Sequence, residues 1–445
     1  MKGSEEGPAQ DPAGRGELAL ALARRAFGLD AGRATPLPGD LDRNFLLEPG
    51  GDGDPVAVLK VFTSRPGRTA LDQQRALFEA LADRAPSIAH LLPVMLRQEG
   101  SPDAIQAVDF EGSRHDAALY RYLPGRPLAE VHPHSPALLR QLGGVLGTLD
   151  LALADVGGSI TPPAASTPSW RLMDGPATVE GRLQFVSSGS RRALLARHLE
   201  GSWRSLAERV GGLPHQLIHH DANDYNVLVQ VTDGGVQLSG LIDFGDAAIA
   251  PRVGEVAIAA VYAALGKRDP LSAMAHVVAG YHAAAPLSEG EFDVLYELAL
   301  LRLGTSLAIS SERAPEHGGD NDYHQISAAP GWRALEALDQ VYPSLATAVL
   351  RDAAGAPPVP RAAAFRRWAR EQAFSPVLGR GLAGAPRVDL SLDSPLTVEG
   401  GQERPFPAWA ADIEARRVAA KAPAAVGYHD ETRLLYRSDA LEPRP

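Results

Sequence analysis

The spacing of apolar positions changes partway along the chain, from short runs to a helical period. Before Pro124-Gly125, apolar runs lie between Gly- and Pro-rich turns, which is typical of strands. These runs predict strands at 44–47, 56–62, 90–97, 104–110 and 116–123, with helices over 17–29 and 69–84. After that break, the helical period predicts helices at 135–155, 178–210, 253–265, 270–285, 289–311 and 331–353. The pattern therefore predicts an α+β fold, with a small, mostly antiparallel sheet followed by a larger, mainly helical region.

Composition divides the chain further. Residues 1–16 are polar and rich in Gly and Pro, so we expect them to be disordered. The sheet region is predicted at 17–123 and the helical region at 124–355. The segment Ala354–Pro360 has the composition of a linker, and residues 356–445 are expected to form an irregular C-terminal extension. Two helices are expected within the extension, at 361–372 and 408–420.

Charge and cysteine content exclude several classes of protein. The net charge of −11 argues against a nonspecific binder of nucleic acids or anionic membranes. Without cysteine, disulfides, thiolate metal sites and cysteine nucleophiles are excluded. The start of the chain lacks the apolar core of a signal peptide, and no continuous apolar run of about 18 residues occurs. We therefore expect a cytoplasmic protein without a membrane span.

The strongest chemical signal is a predicted hairpin in the middle of the chain. The apolar runs Leu217–Val229 and Leu241–Asp246 flank a turn, Thr232–Gly235. Pairing of the two runs would bring three polar side chains together at the open end of the hairpin, which we call its mouth: Asp221, Asn226 and Asp243. Their oxygens can hold Mg²⁺ and position a hydroxyl beside a triphosphate. Asp and Asn are also common in turns, but the chain has four Asn in total and two lie in this segment, which favours function.

These residues resemble a known family. His219-His-Asp-Ala-Asn-Asp-Tyr-Asn226 is similar to the His-Gly-Asp-x4-Asn loop of the aminoglycoside phosphotransferase group, with His220 in the usual Gly position, and Ile242-Asp-Phe-Gly-Asp246 is similar to its metal-binding segment. The sequence of the loop, together with Glu255-Val-Ala-Ile-Ala-Ala260, resembles that of the hydroxylysine-kinase-like subgroup. The resemblance implies a two-lobed protein-kinase-like fold. Its N-lobe, 17–123, would bind nucleotide, and its C-lobe, 124–355, would carry catalysis and substrate.

The resemblance also implies roles around the phosphates. Asp221 would be the catalytic base, and Asn226 and Asp243 would hold Mg²⁺ against the β- and γ-phosphates of ATP or GTP. Lys60, one of four lysines in the chain, would clamp the phosphates from the end of its strand. Its acidic partner is expected on the following helix, where Asp72 is preferred over Glu79.

Further residues are assigned to nucleotide or acceptor. Asn44, at the end of the Pro38–Asn44 loop, would contact phosphate or brace the turn. The backbone of Tyr122 and Leu123 would bind adenine. Two residues carry substrate predictions: Asp246 would reach a metal or substrate amine or brace its loop, and Arg302 would anchor a substrate carboxylate or lie solvated on its helix. His219 is expected to support the loop.

The expected function is phosphate transfer to a hydroxyl of an amino alcohol or hydroxy amino acid. Two alternatives stay open: an aminoglycoside or nucleoside antibiotic phosphotransferase, and a non-catalytic pseudokinase-like module that serves a partner lyase. Subgroup members are often fused to a pyridoxal-phosphate aminotransferase-like domain, and the segment Tyr428–Tyr436 is similar to the start of the linker to that domain. A functional pairing with a pyridoxal-phosphate lyase domain is therefore also expected.

Overall fold

The computed structural model describes most of the chain from residue 12 to residue 358, together with four short strands beyond. The described ranges are 12–39, 41–98, 103–157, 170–313, 328–358, 395–397, 403–405, 426–429 and 434–437. The predicted helices at 361–372 and 408–420 and most of the predicted disordered segment lie outside these ranges.

An antiparallel sheet forms the first part of the structure, as the sequence predicts. Its strands are β1 (Arg33–Leu37), β2 (Arg43–Glu48), β3 (Ala57–Phe62), β4 (Met95–Leu96), β5 (Ile105–Phe110) and β6 (Ser113–Arg121). Their order is β1-β2-β3-β6-β4, and β5 also pairs with β6. The sequence missed β1, since two prolines in and after it are typical of a turn, whereas on an edge strand their missing N–H groups are tolerated.

Two helices cover this sheet. Helix α1 (Pro12–Phe27) begins earlier than predicted, so residues 12–16 are helical rather than disordered. Its apolar face packs with Phe45, Leu59 and Phe110 into a small core. Helix α2 (Arg68–Arg84) turns its buried face, with Leu71, Gln74, Leu77, Phe78 and Leu81, inward. This face joins the sheet to the much larger core of the helical region.

The helical region is built from longer apolar helices. Its helices are α3 (Pro136–Val156), α4 (Gly175–Arg182), α5 (Gly189–Glu200), α6 (Leu206–Val210), α7 (Val253–Ala263), α8 (Pro270–Ala284), α9 (Glu289–Arg313), α10 (Ala328–Asp339) and α11 (Pro343–Ala353). The predicted helix over 178–210 is three helices, and the one over 331–353 is two, with Pro343 at the start of the second. Proline favours a first helical turn, which explains that division.

Helices α3 and α8 approach closely because glycines line their contact. A methyl group at Gly143 would collide with the carbonyl oxygen of Val277, and one at Gly280 would collide with that of Arg140. By length and composition alone, α3 could cross a membrane, and it is the one helix of the described ranges that could. However, 56% of its most apolar window is buried within the protein, where it packs against α8.

Short strands form the hairpin whose open end the sequence predicts to hold the polar side chains. Strand β9 (Val227–Thr232) forms a hairpin with β10 (Gly235–Leu241), and the two-residue β7 (Arg126–Pro127) pairs with β9. Strand β8 (His215–Ile218) does not join this hairpin but pairs with β11 (Ala248–Pro251). Beyond the helices, β12 (Pro395–Thr397) pairs with β13 (Glu403–Pro405), and β14 (Val426–His429) pairs with β15 (Leu434–Arg437).

Candidate active site

Asp221 lies in the loop between β8 and β9, where hydrogen bonds hold both of its carboxylate oxygens. The side-chain amides of Asn223 and Asn226 donate to Oδ2 at 2.9 and 2.8 Å. Arg302 donates from Nη2 to Oδ1 at 2.5 Å. Burial raises the pKa of Asp221 to about 7, although the Arg302 guanidinium opposes this rise. The carboxylate is thus fixed in orientation, as a group that accepts a proton from a bound hydroxyl must be.

His219 supports this loop from the interior. Its Nδ1 accepts a hydrogen bond from the N–H of Asp221 at 3.2 Å, and its Nε2 lies 3.0 Å from the carbonyl oxygen of Ile242. The ring meets Phe244 edge on, with 4.3 Å between centroids. Burial lowers the pKa of His219 to about 4, so the ring is neutral near pH 7. These contacts agree with the predicted role of His219 as a support for the loop.

His220 occupies a backbone conformation that favours glycine. Its φ is 68°, in the left-handed region, which costs a non-glycine residue roughly 1 kcal/mol. Its backbone N–H donates to Oε2 of the fully buried Glu255 at 2.8 Å. Its ring Nε2 accepts from the N–H of Leu172 at 3.2 Å. Glycine, the usual residue at this position of the motif that the loop resembles, would adopt this conformation without strain, and the two hydrogen bonds of His220 help to offset the strain.

Asn226 and Asp243 flank the open end of the β9–β10 hairpin. The N–H of Ile242 donates to the backbone oxygen of Asn226 at 2.9 Å, which places the two ends side by side. Since the Asn226 amide nitrogen donates to Asp221, its Oδ1 is left as the atom for a cation. The Asp243 side chain is 52% exposed, and Lys60 lowers its pKa, so it is ionised near pH 7.

The residues at this mouth fit Mg²⁺. An amide oxygen and an ionised carboxylate are hard ligands, and Mg²⁺ is commonly held by one or two carboxylates plus the phosphates of a substrate. Within the described ranges, no group of three or more His, Cys, Asp and Glu side chains could hold a metal ion by itself. A cation here would therefore need oxygens from outside the protein, from water or from the phosphates of a nucleotide, to complete its coordination.

Lys60 emerges from β3 above this mouth. Its Nζ lies 3.8 Å from Oδ1 of Asp243 and 3.3 Å from Oδ2 of Asp42. The predicted pairing with Asp72 is wrong, because Asp72 lies on the outer side of α2, 3.5 Å from Arg68 and 3.9 Å from Arg75. The alternative, Glu79, is also engaged elsewhere. It forms ion pairs with Arg75 and Arg97.

The other predicted nucleotide residues lie around Lys60. Asn44 on β2 stands opposite Lys60 in the strand register, and its Nδ2 lies 3.4 Å from the carbonyl oxygen of Pro38, so it braces the loop. Tyr122 and Leu123 follow β6 at the junction with the helical region. Leu123 is buried against Gly240 of β10. Their contacts with a nucleotide stay predictions.

Arg302 is buried, not solvated. Its side chain is 3% exposed, and its guanidinium carbon lies 4.9 Å from the ring centroid of Trp170 and 5.8 Å from that of Tyr262. Nη1 donates to the carbonyl oxygen of Trp170 at 2.9 Å. Since Nη2 donates to Asp221, the contact that the structure gives Arg302 is with the loop between β8 and β9. A role in anchoring a substrate carboxylate stays a prediction.

Asp246 closes the short helical turn Phe244–Asp246 after Asp243. Beyond the effects of burial and Arg302, its charge also raises the pKa of Asp221, which places it near the predicted base. Its predicted contact with a metal or a substrate amine is untested by these contacts.

Three residues of the site escaped sequence reasoning: Asp42, Asn223 and Glu255. Asn223 lies inside the recognised loop, and the Asx-type turn that it forms with Tyr225 and Asn226 was a readable signal. Glu255 was quoted for the resemblance but given no role. For Asp42 the signal was weak, since an acid in a short loop that also holds Pro38 and Gly39 is ordinarily a turn residue.

Comparison with known proteins gives one family. The profile of the phosphotransferase enzyme family matches residues 33–292. Hydroxylysine kinase from Bos taurus is 27% identical over 345 residues, which cover 72% of this chain and 88% of the relative. Hydroxylysine kinase from Mus musculus is 27% identical over 340 residues, with coverage of 72% and 88%.

Solved structures show the same fold. An amicoumacin kinase in complex with AMP-PNP, Ca²⁺ and Ami superposes with a TM-score of 0.51 at 14% identity, covering 73% of this chain and 92% of that one. A microcompartment-associated aminopropanol kinase gives a TM-score of 0.50 at 18% identity, with coverage of 76% and 98%. The predicted kinase-like architecture, an antiparallel N-lobe and a helical C-lobe, is thereby confirmed.

Proposed function

Because this chain belongs to the phosphotransferase enzyme family, we propose that it is a small-molecule kinase acting on a hydroxylated amino acid or amino alcohol. The nucleotide would be ATP or GTP, bound with Mg²⁺. The sequence likeness to hydroxylysine kinases over most of their length supports this class of acceptor.

One observation supports the proposal: the four residues predicted to carry phosphoryl transfer, Asp221, Asn226, Asp243 and Lys60, lie close together. Asn226 lies 2.8 Å from the carboxylate of Asp221, and Lys60 lies 3.8 Å from Asp243. Asn226 and Asp243 would hold the metal, which neutralises charge on the phosphates when bound. Lys60 would contact phosphate oxygens from above.

Asp221 would act on the acceptor. Its carboxylate orients the hydroxyl, whose oxygen forms a bond to the terminal phosphorus while the bond from phosphorus to the leaving nucleoside diphosphate breaks. The hydroxyl proton passes to Asp221. Arg302, Asn223 and Asn226 hold the carboxylate oxygens through the reaction, so the group does not need to reorient.

The test is phosphorus NMR of nucleotide turnover with a panel of acceptors. We expect a phosphomonoester and a nucleoside diphosphate with hydroxylysine, other hydroxy amino acids or amino alcohols, with ATP and GTP assayed in parallel. Turnover with aminoglycosides or nucleoside antibiotics alone would favour the antibiotic-modifying alternative. Nucleotide binding without turnover across the whole panel would favour the non-catalytic alternative.

A further inference from the structure

We propose that Asp42, on the loop between β1 and β2, is the carboxylate that positions Lys60 for the phosphates of the nucleotide. The inference rests on the proposed function, since it assumes that Lys60 binds phosphate. Oδ2 of Asp42 lies 3.3 Å from Nζ of Lys60, closer than Asp243 at 3.8 Å. Asp42 is therefore a positioning residue, acting through the lysine.

Asp42 is itself held firmly. Its Oδ1 accepts two hydrogen bonds from Ser64, one from the backbone N–H at 3.1 Å and one from the hydroxyl at 2.7 Å. Its side chain is 13% exposed. One oxygen is thus fixed to Ser64, just after the end of β3, and the other faces Lys60, four residues earlier in the chain. A carboxylate held in this way can direct a flexible ammonium to one place.

Helix α2 offers Lys60 no carboxylate on its inward face. The polar residue there is Gln74, whose Oε1 accepts a hydrogen bond from the hydroxyl of Tyr120 at 3.1 Å. The nearby acid, Asp72, faces outward and pairs with Arg68 and Arg75. An ion pair between the helix and the lysine would require α2 to rotate and would expose its apolar face.

The loop and the lysine are consequently one unit. Besides the Asp42 contacts, the hydroxyl of Thr63 donates to the carbonyl oxygen of Leu41 at 2.6 Å, so two successive residues after β3 bind the loop. The acid that orients Lys60 therefore belongs to the loop between β1 and β2. Order in this loop and the position of the phosphate-binding ammonium are coupled.

The test compares Asp42→Asn with Asp72→Asn in the full chain, by steady-state kinetics and by nucleotide titration without acceptor. We expect D42N to raise the KM and the dissociation constant for nucleotide about tenfold, as loss of a charge-assisted contact would, with the acceptor KM unchanged. D72N should match the wild type. Ser64→Ala should change nucleotide affinity in the same direction as D42N but less.

Three results would overturn the inference: an unchanged nucleotide affinity in D42N, an equal loss in D72N, or tighter binding in D42N, which would mean that Asp42 competes with phosphate. If D42N does not fold, S64A decides, and wild-type affinity in S64A counts against the inference. Failure of the wild type to bind nucleotide would refute the proposed function instead, so the two failures are distinguishable.

Discussion

Arg302 binds the carboxylate of Asp221 from a residue 81 positions further along the chain, with 2.5 Å between Nη2 and Oδ1. The guanidinium is buried, and its carbon lies 4.9 Å from the ring centroid of Trp170 and 5.8 Å from that of Tyr262. The predicted base is therefore anchored to helix α9, outside the loop that carries it. This contact leads to the first two predictions.

Replacing Asp221 by Asn should remove turnover and spare nucleotide binding. The variant keeps the shape of the side chain, but one of its two acceptor oxygens becomes an NH₂ donor and it cannot accept the hydroxyl proton, so we expect kcat to fall by roughly 100- to 10,000-fold. Nucleotide affinity should stay within about threefold, because Lys60 and Asp243 are untouched. Asp233→Asn, in the exposed hairpin turn, serves as the control. Wild-type turnover in D221N would remove Asp221 as the base.

Replacing Arg302 by Met should destabilise the fold. Loss of the guanidinium leaves the largely buried Asp221 carboxylate without its cation, at a cost of about 3 kcal/mol in the free energy of unfolding. Arg126→Met, which breaks an exposed ion pair with Glu130, should cost less than about 1 kcal/mol. Denaturant unfolding measures both.

A double variant isolates this pair. Since D221N removes the charge that Arg302 balances, R302M should cost less in the D221N background than in the wild type. Additive effects on the free energy of unfolding would show that Arg302 contributes packing alone.

His220 should make stability depend on pH. Burial, together with the positive charge of Arg302, lowers its pKa from 6.5 to about 3 in the folded state. The unfolded chain therefore binds a proton first as the pH falls, and this term destabilises the wild type by about 2 kcal/mol between pH 8 and pH 5. His220→Gly and His220→Asn tolerate the left-handed backbone and do not titrate.

The measurement is the difference in free energy of unfolding between wild type and each variant at the two pH values. Both variants should gain about 2 kcal/mol on the wild type from pH 8 to pH 5, whatever their difference at pH 8. Parallel pH profiles for the three proteins would contradict a buried neutral His220.

Replacing Asp243 by Asn should weaken the use of magnesium. The variant removes the charge of the ionised ligand, so the Mg²⁺ concentration for half-maximal turnover should rise more than about tenfold. Glu208→Gln, an exposed acid on α6, provides the control for net charge. An unchanged Mg²⁺ requirement in D243N would show that the metal is held elsewhere.

The mouth of the hairpin could be predicted because its parts are local in sequence. The turn Thr232–Gly235 fixes the pairing of β9 with β10, and the pairing by itself brings Asn226 beside Asp243. Lys60 could be predicted for a similar reason, because it lies near the end of an apolar strand and because lysine is rare in this chain. Such features depend on few residues and on short loops.

The partners of these groups could not be predicted in the same way. Whether Asp42 or Asp72 faces Lys60 depends on how α2 is rotated about its axis, which is settled by the packing of Leu77 and Phe78 in the core. The contact between Arg302 and Asp221 likewise follows from where α9 lies in the C-lobe. Tertiary packing sets both relations, and a single sequence does not display it.

The hydrogen bond from the His220 N–H to Glu255 separates two properties of the C-lobe: the path of the Asp221 loop and the identity of the side chains beside it. A loop held through its main chain keeps its path when neighbouring side chains are exchanged, because the hydrogen bond from the His220 N–H does not depend on the identity of those side chains. Exchanges of the side chains beside the loop should therefore leave the position of Asp221 unchanged. The main-chain bond and the side chains around it can in this sense be changed independently.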